Sequence, residues 1–242
     1  MKKQLVDILW TDECILVINK PAGLLAMQDR FKSEISHLAT VLEPDYGKIW
    51  IVHRLDQDTS GVMVVARSLD ANRVLTDQFV EGRIGKSYRA IIIGRPEWNE
   101  TTIDFPLMID GDRRHRTIVN KKHGKIAVTD VRVLERFSGL TLVEAVPRTG
   151  RTHQIRVHLA ALGFPIAADP LYGDGNPVFL SSFKRDFRGS RREERPLIDR
   201  TALHALTLSL DHPLTNNRHS FEAPFPKDFS ATLRQLTLSR EI

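Results

Sequence analysis

The sequence is poor in several things, and each shortage removes a class of protein. Its 242 residues include one cysteine, Cys14. An internal disulfide is therefore impossible, and so is a zinc centre built from cysteines alone. Long apolar runs are missing. The longest are Ile15–Ile18, Gly61–Ala66 and Ala160–Ala168, all far short of the roughly 20 residues of a membrane-spanning helix. Lys2 and Lys3 open the chain, but Asp7, Asp12 and Glu13 interrupt any signal-peptide core. No repeat or low-complexity tract is present, which removes solenoids and propellers. Hydrophobic residues at 41% and charged residues at 27% are ordinary globular usage. The expectation is a soluble, cytoplasmic protein without contact to a membrane.

Charge is informative through its placement. The net charge is +5. Between Gly111 and Lys125 six bases (Arg113, Arg114, Arg116, Lys121, Lys122 and Lys125) stand against Asp112 alone. Between Ser181 and Arg200 seven bases stand against four acids. The remainder is slightly acidic. Two basic stretches on such a body fit contact with a phosphate backbone, and they also fit two solvated loops.

Apolar patterning suggests strands at Cys14–Asn19, Val62–Ala66, Tyr88–Ile93, Ala127–Leu134, Thr141–Val146 and Ala205–Leu210. Helices are expected over Glu34–Glu43, Leu69–Glu81 with Ser68 as N-cap and Gly82 beyond its end, Thr152–Leu162 stopped by Gly163, and Asp228 to about Leu238. Many strands and few helices, not alternating, read as α+β (mixed α/β) with a mostly antiparallel or mixed sheet. Asp174–Arg200, rich in Gly, Ser, Pro and charge, reads as a surface insertion.

Three motifs fail on inspection. Asp56, Asp58, Ser60 and Gly61 copy the start of a calcium loop, but position twelve is Arg67 where a glutamate is needed. Gly85-Lys86-Ser87 ends like a phosphate-binding loop, but Val80 replaces the first glycine. His153 and His158 would lie about 140° apart around a helix, so they cannot share a metal locally. No metal centre and no nucleotide cofactor is expected.

Two polar clusters remain. His53-Arg54-Leu55-Asp56-Gln57-Asp58-Thr59-Ser60-Gly61 precedes a strand. An Asx turn explains Asp58 and Gly61 but not Arg54. Arg148, Arg151 and Arg156 crowd a strand-to-helix turn, where something negative must face them, either RNA phosphate or a buried carboxylate such as Asp56.

These segments carry a resemblance. Leu16–Leu24 (LVINKPAGL), His53–Gly61 (HRLDQDTSG), Gly85–Ala90 (GKSYRA), Arg148–Ala160 (RTGRTHQIRVHLA) and Gly163–Gly173 (GFPIAADPLYG) resemble, in order, the pseudouridine synthases of the RluA-like branch. The match runs from about Asp7 to beyond His204. The resemblance implies a single catalytic domain over 1–242, with a largely antiparallel central sheet, a catalytic cleft and the insertion at about 174–200. It implies isomerisation of specific uridines in structured RNA, a ribosomal or transfer RNA stem-loop, without cofactor or metal, by a monomer.

The resemblance also implies roles. Asp56 falls on the catalytic aspartate, Tyr88 on the tyrosine that packs against the target base and aids deprotonation, and Arg156 on the arginine paired with the catalytic carboxylate. Ile155 matches an apolar wall of the base pocket, and Arg54 an arginine that fills the space of a flipped nucleotide. Beside these, Lys20, before Pro21 and Gly23, reads either as structural or as a phosphate contact; Lys20, Arg151 and His53 are counted with the substrate-binding residues, His53 most simply as support of the loop. Many relatives carry an N-terminal S4-type RNA-binding domain. With LVINKPAGL starting at Leu16, none is expected here, so Arg113, Arg114, Arg116, Lys121 and Lys122 are expected to hold the RNA backbone. Two rival readings are a non-catalytic RNA-binding assembly factor on the same fold and a metal-dependent RNA phosphodiesterase using Asp56 and Asp58.

Overall fold

The computed structural model describes residues 6–28, 36–184, 186–190 and 192–239. In chain order the elements are β1 (Asp7–Thr11), β2 (Ile15–Lys20), α1 (Leu38–Tyr46), β3 (Trp50–Ile51), β4 (Ser60–Ala66), α2 (Leu69–Val80), β5 (Gly85–Ile93), β6 (Glu100–Ile103), β7 (Leu107–Met108), β8 (Ile118–Val119), β9 (Thr129–Arg136), β10 (Leu140–Pro147), α3 (Gln154–Ala161), a 3-10 turn (Leu180–Ser182), β11 (Leu203–Asp211), β12 (Arg218–Glu222) and α4 (Lys227–Leu238). The architecture is mixed α/β with mostly antiparallel pairing, as expected. The residues group into two compact units: the chain up to Ser87 together with His204–Pro224, and Tyr88–Leu203 together with the chain from Phe225 on.

In the first unit the strand order is β1-β2-β4-β11, with β12 on β11 and β3 on β4. β4 is buried along its whole length, which explains its unbroken apolar run, since a strand covered on both faces has no polar side to show. It pairs antiparallel with β2, Leu16 against Val65 and Ile18 against Met63. It pairs parallel with β11, Ser60 against His204 and Gly61 against Ala205. Gly61 is required there. Its φ is +122°, and a Cβ would sit 2.1 Å from the Ala205 carbonyl oxygen.

α2 begins at its expected cap, with the Ser68 hydroxyl accepting the Ala71 N–H at 3.1 Å. Its buried face is Ala71, Leu75 and Gln78. Apolar periodicity could not find Gln78. Its amide donates to the Asp211 carbonyl at 2.7 Å and accepts the Asp211 N–H at 2.8 Å, so a side chain completes the edge of β11. The first helix runs later than expected. The expected start at Glu34 lies outside the described residues, and the helix continues past Glu43 through Pro44 to Tyr46. Pro44 has no N–H to give the Thr40 carbonyl, and the helix ends two residues later, where Gly47 donates to the Glu43 carbonyl at 3.0 Å.

In the second unit the order is β5-β10-β9-β6, all antiparallel, beside the small β7–β8 hairpin. Ile91, Val131, Val143, Leu159, Ile166 and Phe229 belong to one buried core. The segment 174–200 is less of a surface loop than its composition implied. Val178, Phe183 and Ile198 join that core. The backbones of Val178 and Ile198 bridge at 2.8 Å, and Arg200 grips Asp228 of α4 at 2.6 and 3.0 Å. Arg200 is therefore an internal tie and not part of a free basic arm. Arg185 and Arg191 lie outside the described residues.

Candidate active site

In the first unit the loop Arg54–Thr59 enters β4. Asp56 is half-buried, Arg54 exposed. The Asp56 carbonyl accepts the Thr59 N–H at 3.1 Å, closing a turn. The Gln57 carbonyl accepts the Gly23 N–H at 2.9 Å, and the Gln57 amide donates back to the Gly23 carbonyl at 3.2 Å. The 53–61 and 16–24 segments are thus two halves of one structure.

Lys20 joins them. Its side chain is fully buried, and its ammonium donates to the carbonyls of Pro21, Leu24 and Gln57 at 2.9, 2.8 and 3.0 Å. A phosphate-contacting role, expected from the motif, does not fit a cation closed in among carbonyls. Lys20 ties the loop, and its charge is stabilised by three acceptors that replace lost water.

Below the loop, His53 Nε2 accepts the Val64 N–H at 3.1 Å, and its ring stacks on Phe79 at 4.5 Å. Burial, helped by the Lys86 charge, holds His53 down to about 3. It is neutral at physiological pH, as an acceptor of a backbone N–H must be. Ser60 was not singled out. Its hydroxyl lies 2.9 Å from His204 Nδ1, and His204 Nε2 lies 3.1 Å from the Ala223 carbonyl. A carbonyl can only accept, so Nε2 carries the proton and Ser60 donates to Nδ1. The one signal in the sequence was a histidine inside an apolar strand.

In the second unit the three crowded arginines find separate partners. Arg148 forms a fork with Asp130 at 2.6 and 2.8 Å. Arg151 donates through Nε to the Ile126 carbonyl at 3.1 Å. Arg156 is buried on α3 and pairs with Asp169 at 2.7 and 2.8 Å. Asp169, which no sequence pattern singled out, is itself fully buried. Its carboxylate also accepts the N–H groups of Leu171 and Tyr172 at 2.9 and 3.2 Å. Burial opposes its ionisation, but the Arg156 guanidinium and the two N–H groups outweigh it and hold the group below its usual range.

The turn before α3 is rigid for a definite reason. The buried Gln154 amide accepts from the Thr149 hydroxyl and the Arg151 N–H, and donates to the Val128 carbonyl and the Thr129 hydroxyl. His153 enters the helix in the left-handed region, φ 56°, with Nδ1 2.9 Å from the Tyr172 hydroxyl. Ile155 is buried on the same turn of helix. Tyr88, on β5 opposite Ala145 of β10, is half-buried and packs on the core of this unit.

Of the basic residues expected on RNA, Arg113, Arg114, Lys121 and Lys122 are exposed. Arg116 is not equivalent to them. It pairs with Asp112 at 2.8 Å and donates to the Leu171 carbonyl at 2.8 Å. Asp112 and Leu171 occupy it.

Among the described residues one group could hold a metal: Asp12, Cys14 and His212, whose ligand atoms lie within 4.8 Å of one another. Its hydrogen bonds already account for it. His212 Nδ1 accepts the N–H groups of Leu214 and Thr215, which leaves Nε2 to donate to Asp12 at 3.0 Å. A metal on Nε2 would need that proton moved to Nδ1, against both N–H groups.

Known proteins fit these segments. The family model for RNA pseudouridylate synthase matches residues 14–161. Ribosomal large subunit pseudouridine synthase D of Pseudomonas aeruginosa is 40% identical, over 98% of this chain and 73% of that protein. Dual-specificity RNA pseudouridine synthase RluA of Escherichia coli is 38% identical, over 90% of this chain and 92% of that protein. The solved structure of human RNA pseudouridylate synthase domain containing 1 aligns with a TM-score of 0.71 at 26% identity, over 93% of this chain and 87% of that one. With the family model spanning more than half of the chain, and with relatives at this identity, the chain belongs to the RNA pseudouridylate synthase family.

Proposed function

We propose that this protein isomerises selected uridines of structured RNA, a ribosomal or transfer RNA stem-loop, to pseudouridine, and that Asp56 carries the reaction. The observation behind this reading is the Asp56 loop itself. It is family sequence, and it is tied by Gln57 to Gly23 and Lys20 and by His53 to Val64. A carboxylate held on so fixed a loop suits a reaction in which orientation decides the rate.

The reaction breaks the bond from uracil N1 to C1′, turns the base and forms a bond from C5 to C1′. Asp56 serves as a nucleophile, or as the base that removes the 2′ proton to give a glycal. In either route a positive partner keeps it ionised, the role proposed for Arg156. Tyr88 and Ile155 are proposed to wall the base so that water is excluded and the detached uracil stays. Lifting a base out of its stack costs a few kcal/mol, and Arg54 is proposed to offset part of this by stacking in its place. Arg151 is proposed on the phosphate backbone beside the basic hairpin. A monomer in the cytoplasm, free of any membrane, completes the proposal. Among the described residues no helix is long and apolar enough to cross a membrane.

The test incubates the full chain with unmodified ribosomal and transfer RNA transcripts in EDTA and maps pseudouridine. The expected result is new pseudouridine at discrete positions in unbroken strands. No pseudouridine in EDTA, with strand cleavage once magnesium replaces the EDTA, would sink the reading in favour of a phosphodiesterase. A second expectation concerns affinity. Replacing Arg113, Arg114, Lys121 and Lys122 with glutamine should flatten the dependence of log K on log salt by roughly 0.7–0.9 for each phosphate no longer neutralised. An unchanged slope would remove the hairpin from the RNA interface. Arg116 is left in place, because its guanidinium is committed to Asp112 and Leu171.

A further inference from the structure

The 169–172 turn touches both the arginine assigned to the reaction and the hairpin assigned to RNA. The Tyr172 ring lies 5.2 Å from the Arg156 guanidinium carbon and 6.0 Å from that of Arg116. Its hydroxyl accepts the Thr117 N–H at 3.1 Å and lies 2.9 Å from His153 Nδ1, at the entry to the helix that carries Arg156. Arg116, on the same hairpin as Thr117, donates to the Leu171 carbonyl at 2.8 Å. Asp169 then closes the connection, since the carboxylate that orients Arg156 accepts the N–H groups of Leu171 and Tyr172.

The backbone around this turn is committed. Ala168 holds φ at 56°, a conformation that residues with a Cβ rarely adopt. A turn fixed by strain, a buried carboxylate and a shared ring has little freedom to absorb a displacement. A shift of the hairpin therefore reaches Arg156 within a few residues, through Tyr172 and through the Leu171–Asp169 bond. The exposed bases of the hairpin take no part in this wiring. They remain free to meet phosphate while Arg116 and Thr117 face inward.

We infer that Tyr172 is a positioning residue that couples RNA engagement of the 107–125 hairpin to the orientation of Arg156. The inference rests on the proposed roles of Arg156 and of the hairpin. It gives the enzyme a way to favour RNA that is gripped in register over RNA that is merely nearby, because the saturated rate then depends on contacts remote from the uridine. Binding energy used at a distance to orient a reacting group raises kcat and leaves affinity nearly untouched.

The test is a cycle on the full chain with unmodified ribosomal and transfer RNA transcripts. Tyr172→Phe keeps the ring and removes the hydroxyl. It is expected to lower the saturated single-turnover rate about tenfold, a typical coupling, with Kd changed less than about twofold. Arg116→Lys, which keeps the charge and loses the bond to Leu171, should act in the same direction. The decisive arm combines Tyr172→Phe with Lys121→Gln and Lys122→Gln. In the parent protein the lysine changes should lower both affinity and saturated rate. In the Tyr172→Phe background they should lower affinity alone.

Equal rate effects in both backgrounds, or a Tyr172→Phe variant as fast as the parent, would overturn the coupling. A readout free of turnover runs alongside. RNA should slow hydrogen exchange at the Leu171 and Tyr172 amides in the parent and not in Tyr172→Phe, and equal protection in both would also overturn it. An inactive parent would fail the isomerase reading, and the exchange arm would still decide the coupling.

Discussion

Asp56→Ala is expected to abolish pseudouridine formation, with the rate falling by about 10^4-fold or more, as when an enzyme loses the group that attacks or abstracts. RNA affinity should change by less than about twofold. The separation follows from the loop. The bonds that hold it in place come from the Gln57 side chain and carbonyl, the Asp56 carbonyl, the Lys20 ammonium and the His53 ring. Truncating the carboxylate removes the chemistry and leaves those bonds intact. Single-turnover mapping of pseudouridine and a filter-binding isotherm, on the same RNA, check the two halves. Turnover retained in Asp56→Ala would end the assignment of the reaction to this residue. Binding lost in parallel with turnover would make Asp56 a recognition residue instead.

Asp169→Asn is expected to destabilise the fold by about 3–5 kcal/mol, the range for removing one partner of a buried ion pair. Asp169 is fully buried, and the side chain of Arg156 is 7% exposed. The amide would take from the buried guanidinium the charge of Asp169 that faces it at 2.7 and 2.8 Å. For a chain of this length the loss corresponds to a Tm lower by roughly 6–20 °C. The double change Arg156→Met with Asp169→Leu should recover most of it, because the cost lies in a buried charge that has lost compensation and not in the lost attraction itself. The sign with pH is fixed by the direction of the shift. The folded carboxyl lies below its usual range, so the pair stabilises the protein above that range and its contribution fades as pH falls through the depressed value. Asp169→Asn should remove that portion of the acid sensitivity. Urea denaturation at neutral pH and near pH 3 measures both. A loss under about 1 kcal/mol at neutral pH would mean that water reaches Arg156.

How much of this was legible in the sequence depends on the range of the interaction. Patterns local in sequence carried well. The apolar run of β4 and the Ser68 cap are properties of a few adjacent residues, and both appear as read. The His53–Gly61 loop stands out because two acids, a hydroxyl pair and a glycine fall together beside an arginine that a turn does not need, and its residue roles come from the family resemblance. Partners distant in sequence could not be read. Asp169 reaches back to Arg156, Asp130 reaches forward to Arg148, and His204 meets Ser60 across most of the chain. Asp169 lies within the Gly163–Gly173 segment, yet for each of the three only the register of the fold selects the partner. Lys20 shows a different limit. A lysine beside Pro21 in a functional motif invites a phosphate, yet three carbonyls close around it, and no local pattern announces which carbonyls will converge.

The parallel pairing of β4 with β11 also bears on how the protein is made. β4 leaves the ribosome with the Asp56 loop immediately ahead of it, while the strand that pairs with its Ser60–Gly61 end starts at Leu203. At ordinary synthesis rates that wait is roughly 7–30 s. Throughout it the Ser60–Gly61 end of β4 lacks that partner, while β2 lies along one edge and β3 on Val65 and Ala66, and an unpaired strand end invites pairing with another chain. The Ser60–Gly61 end, nearest the chemistry, is thus translated well before its last partner strand. A chaperone that shields nascent apolar strands would find its longest window of opportunity here, and truncations that stop short of Leu203 should accumulate as aggregates instead of half-enzymes.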